Sequence, residues 1–78
     1  MKIKIHYFAS LRENIGRSED VIESQTESLT VKQAWQQATG LPELQDDLLI
    51  AVNQEYTSED VLLSDGDELA FFPPVTGG

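Results

Sequence analysis

One stretch of this chain carries helical periodicity with both of its ends marked, and it is short. Thr30 is a good N-cap, and Gln33 three residues later completes the capping-box pattern. Val31, Ala34, Trp35 and Ala38 then fall at i, i+3, i+4 and i+7, which makes a single apolar stripe. Gly40 ends the helix, and Pro42 blocks its resumption two residues on. A helix of this length with one apolar stripe covers one face of a sheet, so the rest of the chain has to supply that sheet.

The strand signals are there. Lys2 to Phe8 alternates, with Ile3, Ile5 and Tyr7 on one face and Lys2, Lys4 and His6 on the other. Ser10 to Ile15 fits a short helical turn closed by Gly16. Asp20 to Ser24, centred on Val21 and Ile22, reads as the return arm of a hairpin. Leu48 to Asn53 is a continuous apolar run of strand length, as expected of a strand covered on both faces. Tyr56-Thr57 fits a short edge strand and Val61 to Leu63 a turn. Ser64-Asp65-Gly66-Asp67 is a turn signal, and Glu68 to Phe72 is the last strand. The expected architecture is an α+β domain over residues 1–72, a mixed sheet with one main helix on one face. Residues 73–78 form an extended C-terminal tail.

At 78 residues the chain is one small domain with a modest core. It has no cysteine, which fits a reducing cytoplasm and rules out disulfides and thiolate metal sites. No apolar run approaches the ~20 residues that span a bilayer, so a soluble, cytoplasmic protein without a membrane partner is expected. The net charge of −9, from 14 acidic and 5 basic residues, argues against nucleic acid, whose phosphates need a basic footprint. Much of the acidity lies at Glu43, Asp46 and Asp47 and between Glu55 and Glu68. It suits a solvated face, or docking to a basic partner.

Side-chain catalysis is hard to assemble. His6 is the sole histidine and lies on the outward face of a strand, with no second group to place beside it. Without cysteine, neither a nucleophilic triad nor a structural zinc site is convincing. Asp65-Gly66-Asp67-Glu68 lacks the ligand spacing of a calcium-binding loop and suits a tight acidic turn. No glycine-rich phosphate loop occurs, and no metal or cofactor bound by the chain itself is expected.

The last eight residues, Phe71-Phe72-Pro73-Pro74-Val75-Thr76-Gly77-Gly78, carry no charged side chain. Pro73 and Pro74 fix φ and favour an extended backbone, so the tail leaves the domain stiffly. Residues 73–78 can reach roughly 20 Å, enough to enter a neighbouring active site. Gly77 and Gly78 lack Cβ and pass through a narrow channel. The chemistry then falls to the carboxylate of Gly78. A carboxylate has a poor leaving group, and ATP supplies a good one by forming an acyl adenylate. A sulfur nucleophile then gives a thiocarboxylate, and an amine gives an amide link to another protein. Pattern alone leaves both outcomes open.

The order of elements with a protruding Gly-Gly end resembles the ubiquitin-like β-grasp fold. More narrowly, the chain resembles the small subunits of molybdopterin synthase, the sulfur carriers of molybdenum cofactor synthesis. The residues that carry the resemblance are Tyr7-Phe8-Ala9, Leu11-Arg12-Glu13, Ala51-Val52-Asn53-Gln54 and the stretch from Leu63 to Gly78. The resemblance implies that a ubiquitin-activating-type adenylyltransferase uses ATP to form glycyl adenylate on Gly78. A sulfur donor protein then converts it to a thiocarboxylate. It further implies that Pro73, Pro74, Val75, Thr76 and Gly77 insert into the large subunit, which supplies catalysis. There the sulfur passes to cyclic pyranopterin monophosphate within a heterotetramer of two small and two large subunits. Phe8, Arg12 and Phe72 are implied docking residues. Phe71 and Phe72 face opposite sides of their strand, so one of them faces a partner. Other readings are a thiazole-pathway sulfur carrier, a ubiquitin-like protein modifier and an interaction domain with an inert tail.

Overall fold

The computed structural model describes residues 1–45 and 47–74. Strand β1 (Lys2–Tyr7) buries Ile3, Ile5 and Tyr7 and turns its intervening residues outward, as its alternation requires. Helix α1 (Ala9–Ile15) follows and stops at Gly16, whose φ of 89° is left-handed and whose N–H donates to the Arg12 carbonyl. Strand β2 (Glu19–Glu23) returns antiparallel to β1, with Ile3 opposite Ile22. Strand β3 (Leu29–Thr30) leads into helix α2 (Val31–Thr39), and both arms of the capping box form. The Gln33 N–H donates to Thr30 Oγ1 at 3.1 Å, and the Thr30 N–H to Gln33 Oε1 at 2.8 Å. Gly40, with φ 76°, closes α2. Strands β4 (Leu49–Val52), β5 (Glu55–Thr57), β6 (Leu62–Leu63) and β7 (Glu68–Phe72) complete the elements among the described residues.

Five strands make one mixed sheet in the order β2-β1-β7-β4-β5, and β3 pairs with β6 in a small second sheet. The first and last strands are central neighbours and run parallel, with Ile5 opposite Leu69 and Tyr7 opposite Phe71. Antiparallel pairing of β4 with β7 and with β5 extends the sheet to its other edge.

One face of the sheet meets α2. Val31, Ala34 and Trp35 from the helix stripe are fully buried against Ile3, Ile5, Leu69 and Phe71. The Trp35 ring stands edge-on to Phe71, with centroids 4.9 Å apart. Its indole N–H donates to the Glu43 carbonyl at 3.0 Å, so its polar atom is satisfied as well. Tyr7 is buried too, and its hydroxyl donates to Asp20 Oδ2 at 2.8 Å. Arg17 donates to that same oxygen and to the Ala38 carbonyl, both at 2.6 Å, which ties β2 to the end of α2.

The structure departs from the sequence-based expectations at three places. The helical turn expected over Ser10–Ile15 is a seven-residue helix from Ala9. Val61 to Leu63 contains a strand, not only a turn, because Leu62 and Leu63 pair with Thr30 and Leu29. Two-residue strands are too short to show periodicity. Ile50 and Ala51 are buried, but Leu49 is 37% exposed, so the outer face of β4 carries no second layer. Its apolar run reflects an apolar but open surface. Among the described residues, no helix is long and apolar enough to cross a membrane.

Burial pushes the Tyr7 phenol up from its ordinary value, and the hydrogen bond to Asp20 pushes it further. The folded chain therefore keeps this proton where an unfolded chain begins to lose it. The contribution is complete below about pH 10 and is lost as pH rises through the folded value. Tyr7→Phe is expected to lower stability near neutrality by about 1.5–3 kcal/mol, the worth of a hydrogen bond to a charged acceptor. It should also flatten the alkaline decline of stability, and urea unfolding curves at neutral and alkaline pH read both effects.

Candidate functional site

Parallel pairing puts the C-terminal ends of β1 and β7 side by side. The pairing continues one residue past β1, where the Phe8 N–H donates to the Phe71 carbonyl at 3.2 Å. Strand alternation then divides the aromatic residues between the two faces. Phe71 points into the core and is fully buried, 4.9 Å from Trp35. Phe72 points the other way, onto the open face of the sheet, where its ring stacks on Phe8 with centroids 4.6 Å apart and planes 7° from parallel. The question left open by the Phe71-Phe72 pair is resolved: Phe72 is the outward residue.

The root of the tail continues this surface. Pro73 is half-buried and Pro74 exposed. Together with Phe8, Leu49, Tyr56 and Phe72 they border an open hollow of about 640 Å³. Phe8 is 42% and Tyr56 75% exposed, and with their neighbours around the hollow they form one contiguous open apolar surface, the kind that marks an interaction site.

A second hollow, of about 330 Å³, adjoins the first further down the same face. Its base is a cross-strand row. His6 lies opposite Ala70, Ala70 opposite Ala51, and Ala51 opposite Tyr56. The two alanines leave a depression in mid-sheet. Phe8 and Phe72 line it on one side, and Gln54 and Glu68 also line it. The two ring nitrogens of His6 stand 3.9 Å from Glu19 and from Glu68.

The turns beneath this face are held by side chains. Asn53 and Gln54 form the two-residue β4–β5 connection with φ of 50° and 72°, the positive values a tight hairpin needs. Asn53 Oδ1 accepts from the Glu68 N–H, and its amide donates to Asp67 Oδ1, both at 3.0 Å. Asp67 Oδ2 accepts from the Ser64 N–H, and Asp65 Oδ1 from the Lys2 N–H. The acidic turn is thus engaged in fixing β7 beside β1 and β4.

Of the residues singled out from sequence, the structure brings Phe8 and Phe72 together at the root of the tail. Arg12 is exposed on α1 and lines neither hollow. Val75, Thr76, Gly77 and Gly78 lie outside the described residues. Sequence reasoning did not find Leu49, Gln54, Tyr56, Glu68 or the Ala51–Ala70 base. The available signal was the outward half of each period-2 pattern, read across strands once their order is known.

The family model described as the ThiS family matches residues 5–78. The chain belongs to the ThiS family. A curated relative of this ThiS-family chain, the molybdopterin synthase sulfur carrier subunit of Escherichia coli (strain K12), is 44% identical over 97% of the chain and 99% of that protein. Among solved structures, SAMP1 of Haloferax volcanii, a small archaeal modifier protein, superposes with a TM-score of 0.85 at 28% identity, covering all of both chains. A chain from the complex of subunits 1 and 2 of the molybdopterin-converting factor of Helicobacter pylori 26695 superposes with a TM-score of 0.64 at 26% identity, again over all of both chains. The fold of this ThiS-family chain is the ubiquitin-like β-grasp.

The two adjacent phenylalanines should respond differently to truncation. Phe71→Ala is expected to cost about 3–5 kcal/mol, as for other buried rings. Phe72→Ala should cost about 0.5–1.5 kcal/mol, the worth of its stack on Phe8. Chemical denaturation of both variants checks the contrast.

Proposed function

We propose that this chain is the sulfur carrier subunit of molybdopterin synthase and that the carboxylate of Gly78 is its working group. The observation that carries the reading is the position of the tail root. Pro73 and Pro74 follow directly on β7 beside the Phe8–Phe72 stack, on an open apolar face. A partner that covers that face receives the tail at the same time. The full-length likeness to a molybdopterin synthase sulfur carrier subunit and the likeness to a chain of a two-subunit molybdopterin-converting factor support this reading over a thiazole-pathway carrier.

In this reading a cytoplasmic ubiquitin-activating-type adenylyltransferase couples Gly78 to AMP with loss of pyrophosphate from ATP. ATP is used by that enzyme and is not held by the carrier. A sulfide equivalent from a sulfur donor protein adds at the acyl carbon and AMP leaves, giving the thiocarboxylate. Pro73 to Gly77 then carry the sulfur into the large subunit, which supplies the catalytic side chains and delivers it to cyclic pyranopterin monophosphate. An oxygen from water replaces the lost sulfur and restores the carboxylate. Two carriers on two large subunits give the heterotetramer. The carrier's own side chains take no part in the bond changes. Phe8 and Phe72 serve docking, and Arg12 is assigned to a part of the partner that reaches α1.

A second reading, a protein modifier joined to lysines, draws support from the superposition on the small archaeal modifier. The two readings share the adenylate and differ in its acceptor. Intact mass after incubation with the activating enzyme, ATP and a sulfur source is expected to rise by the replacement of one oxygen by sulfur. A stable conjugate to other proteins favours the modifier, and no change in mass rejects both. Deleting Gly78, or adding one residue after it, should abolish the mass gain and leave thermal stability within about 0.5 kcal/mol. Sulfur transfer by the extended form would overturn the free-carboxylate mechanism.

A further inference from the structure

The basin built on Ala51 and Ala70 has chemically different sides. One side is aromatic, from the stacked Phe8 and Phe72 rings, and Tyr56 closes the row beyond Ala51. The other is polar and anionic, from Gln54 and Glu68. A purely apolar side chain would leave the Glu68 carboxylate and the Gln54 amide without partners as it displaced their water. A planar cation suits both sides, since a guanidinium stacks on aromatic faces and donates in its plane to carboxylate and amide oxygens.

Two further observations point the same way. The Glu68 carboxylate is available. Among the described residues it accepts no hydrogen bond, and its nearest basic atom is His6 Nε2 at 3.9 Å. Lys4, opposite Glu68 in the parallel ladder, has its ammonium 3.8 Å from Glu19 instead. Gln54 stands at the second position of a two-residue hairpin turn with φ 72°, where glycine is preferred and a side chain is strained. Strain of this kind at the rim of a hollow is a mark of function.

From this basin we infer that the open sheet face is a socket for one arginine side chain presented by a basic partner surface. The guanidinium lies over Ala51 and Ala70 against the Phe8–Phe72 stack, with Glu68 as its ionic anchor and the Gln54 carbonyl oxygen as a second acceptor. The net charge of −9 draws such a surface toward the chain. The inference rests on the docking reading of this face and adds the chemistry of the contact.

Nuclear magnetic resonance of the intact chain tests it with Nα-acetylarginine amide as the probe, against the lysine and leucine counterparts. Saturable shifts are expected at Ala51, Gln54, Glu68 and Ala70 with the arginine probe, stronger than with the other two. Glu68→Gln should weaken that binding roughly tenfold, the loss of a charge-assisted pair. Gln54→Gly should weaken it about threefold, with a melting temperature equal to or above that of the parent because glycine relieves the turn. Glu27→Gln, which removes the same charge away from the basin, should change neither. Absence of shifts at these residues, or leucine binding as tightly as arginine, overturns the socket. So does Glu68→Gln binding like the parent. The mass gain at Gly78 is read separately, so failure of the socket with normal charging of the tail leaves the carrier reading standing, and the reverse result rejects the carrier alone.

Discussion

Parallel pairing of the first strand with the last is the constraint on which the rest of this molecule depends. Parallel neighbours cannot be joined by a tight turn, so all the chain between β1 and β7 acts as their crossover, with α2 packed on one face of the sheet. Both strands then end at the same edge. Tyr7 and Phe71 turn down together onto Trp35, while Phe8 and Phe72 turn up together into the open. The pairing that completes the core therefore also sets the tail root beside an exposed aromatic stack.

The two faces of the sheet use apolar residues for different ends. Beneath, Ile3, Ile5, Leu69 and Phe71 are sealed by the helix stripe. Above, Leu49, Tyr56, Phe8 and Phe72 are left open around two alanines. A domain this small buries only ~60% of its unfolded surface, so every ring kept out of the core is a loss to its stability. In the proposed reading this exposed apolar surface is the docking face. The net charge of −9 favours solubility and speeds encounter with surfaces of opposite charge.

Much of this was legible in the sequence. Thr30, Gln33 and Gly40 announce α2, because caps are local and their hydrogen bonds close within one turn. The period-2 pattern of Lys2 to Phe8 and the strand at Glu68 to Phe72 were visible for the same reason. Strand order was not visible in any local pattern, since pairing of β1 with β7 joins residues some sixty positions apart. The choice between Phe71 and Phe72 depended on that pairing. The Ala51–Ala70 basin likewise exists only across strands, and Leu29 to Thr30 with Leu62 to Leu63 is too short to register. Residue types alone pointed to the carboxylate of Gly78 as the reactive group, and the preference for sulfur over an amide link came from the family resemblance.

The central claim is that the tail root and the open aromatic face dock as one surface. Cross-saturation transfer measures this directly, with the deuterated chain bound to a protonated large subunit. The account predicts the strongest transfer at Phe8, Ala51, Ala70 and Phe72, and little at the outward residues Lys32 and Gln36 of α2. Strong transfer at α2, with Phe8 and Phe72 untouched, would contradict it.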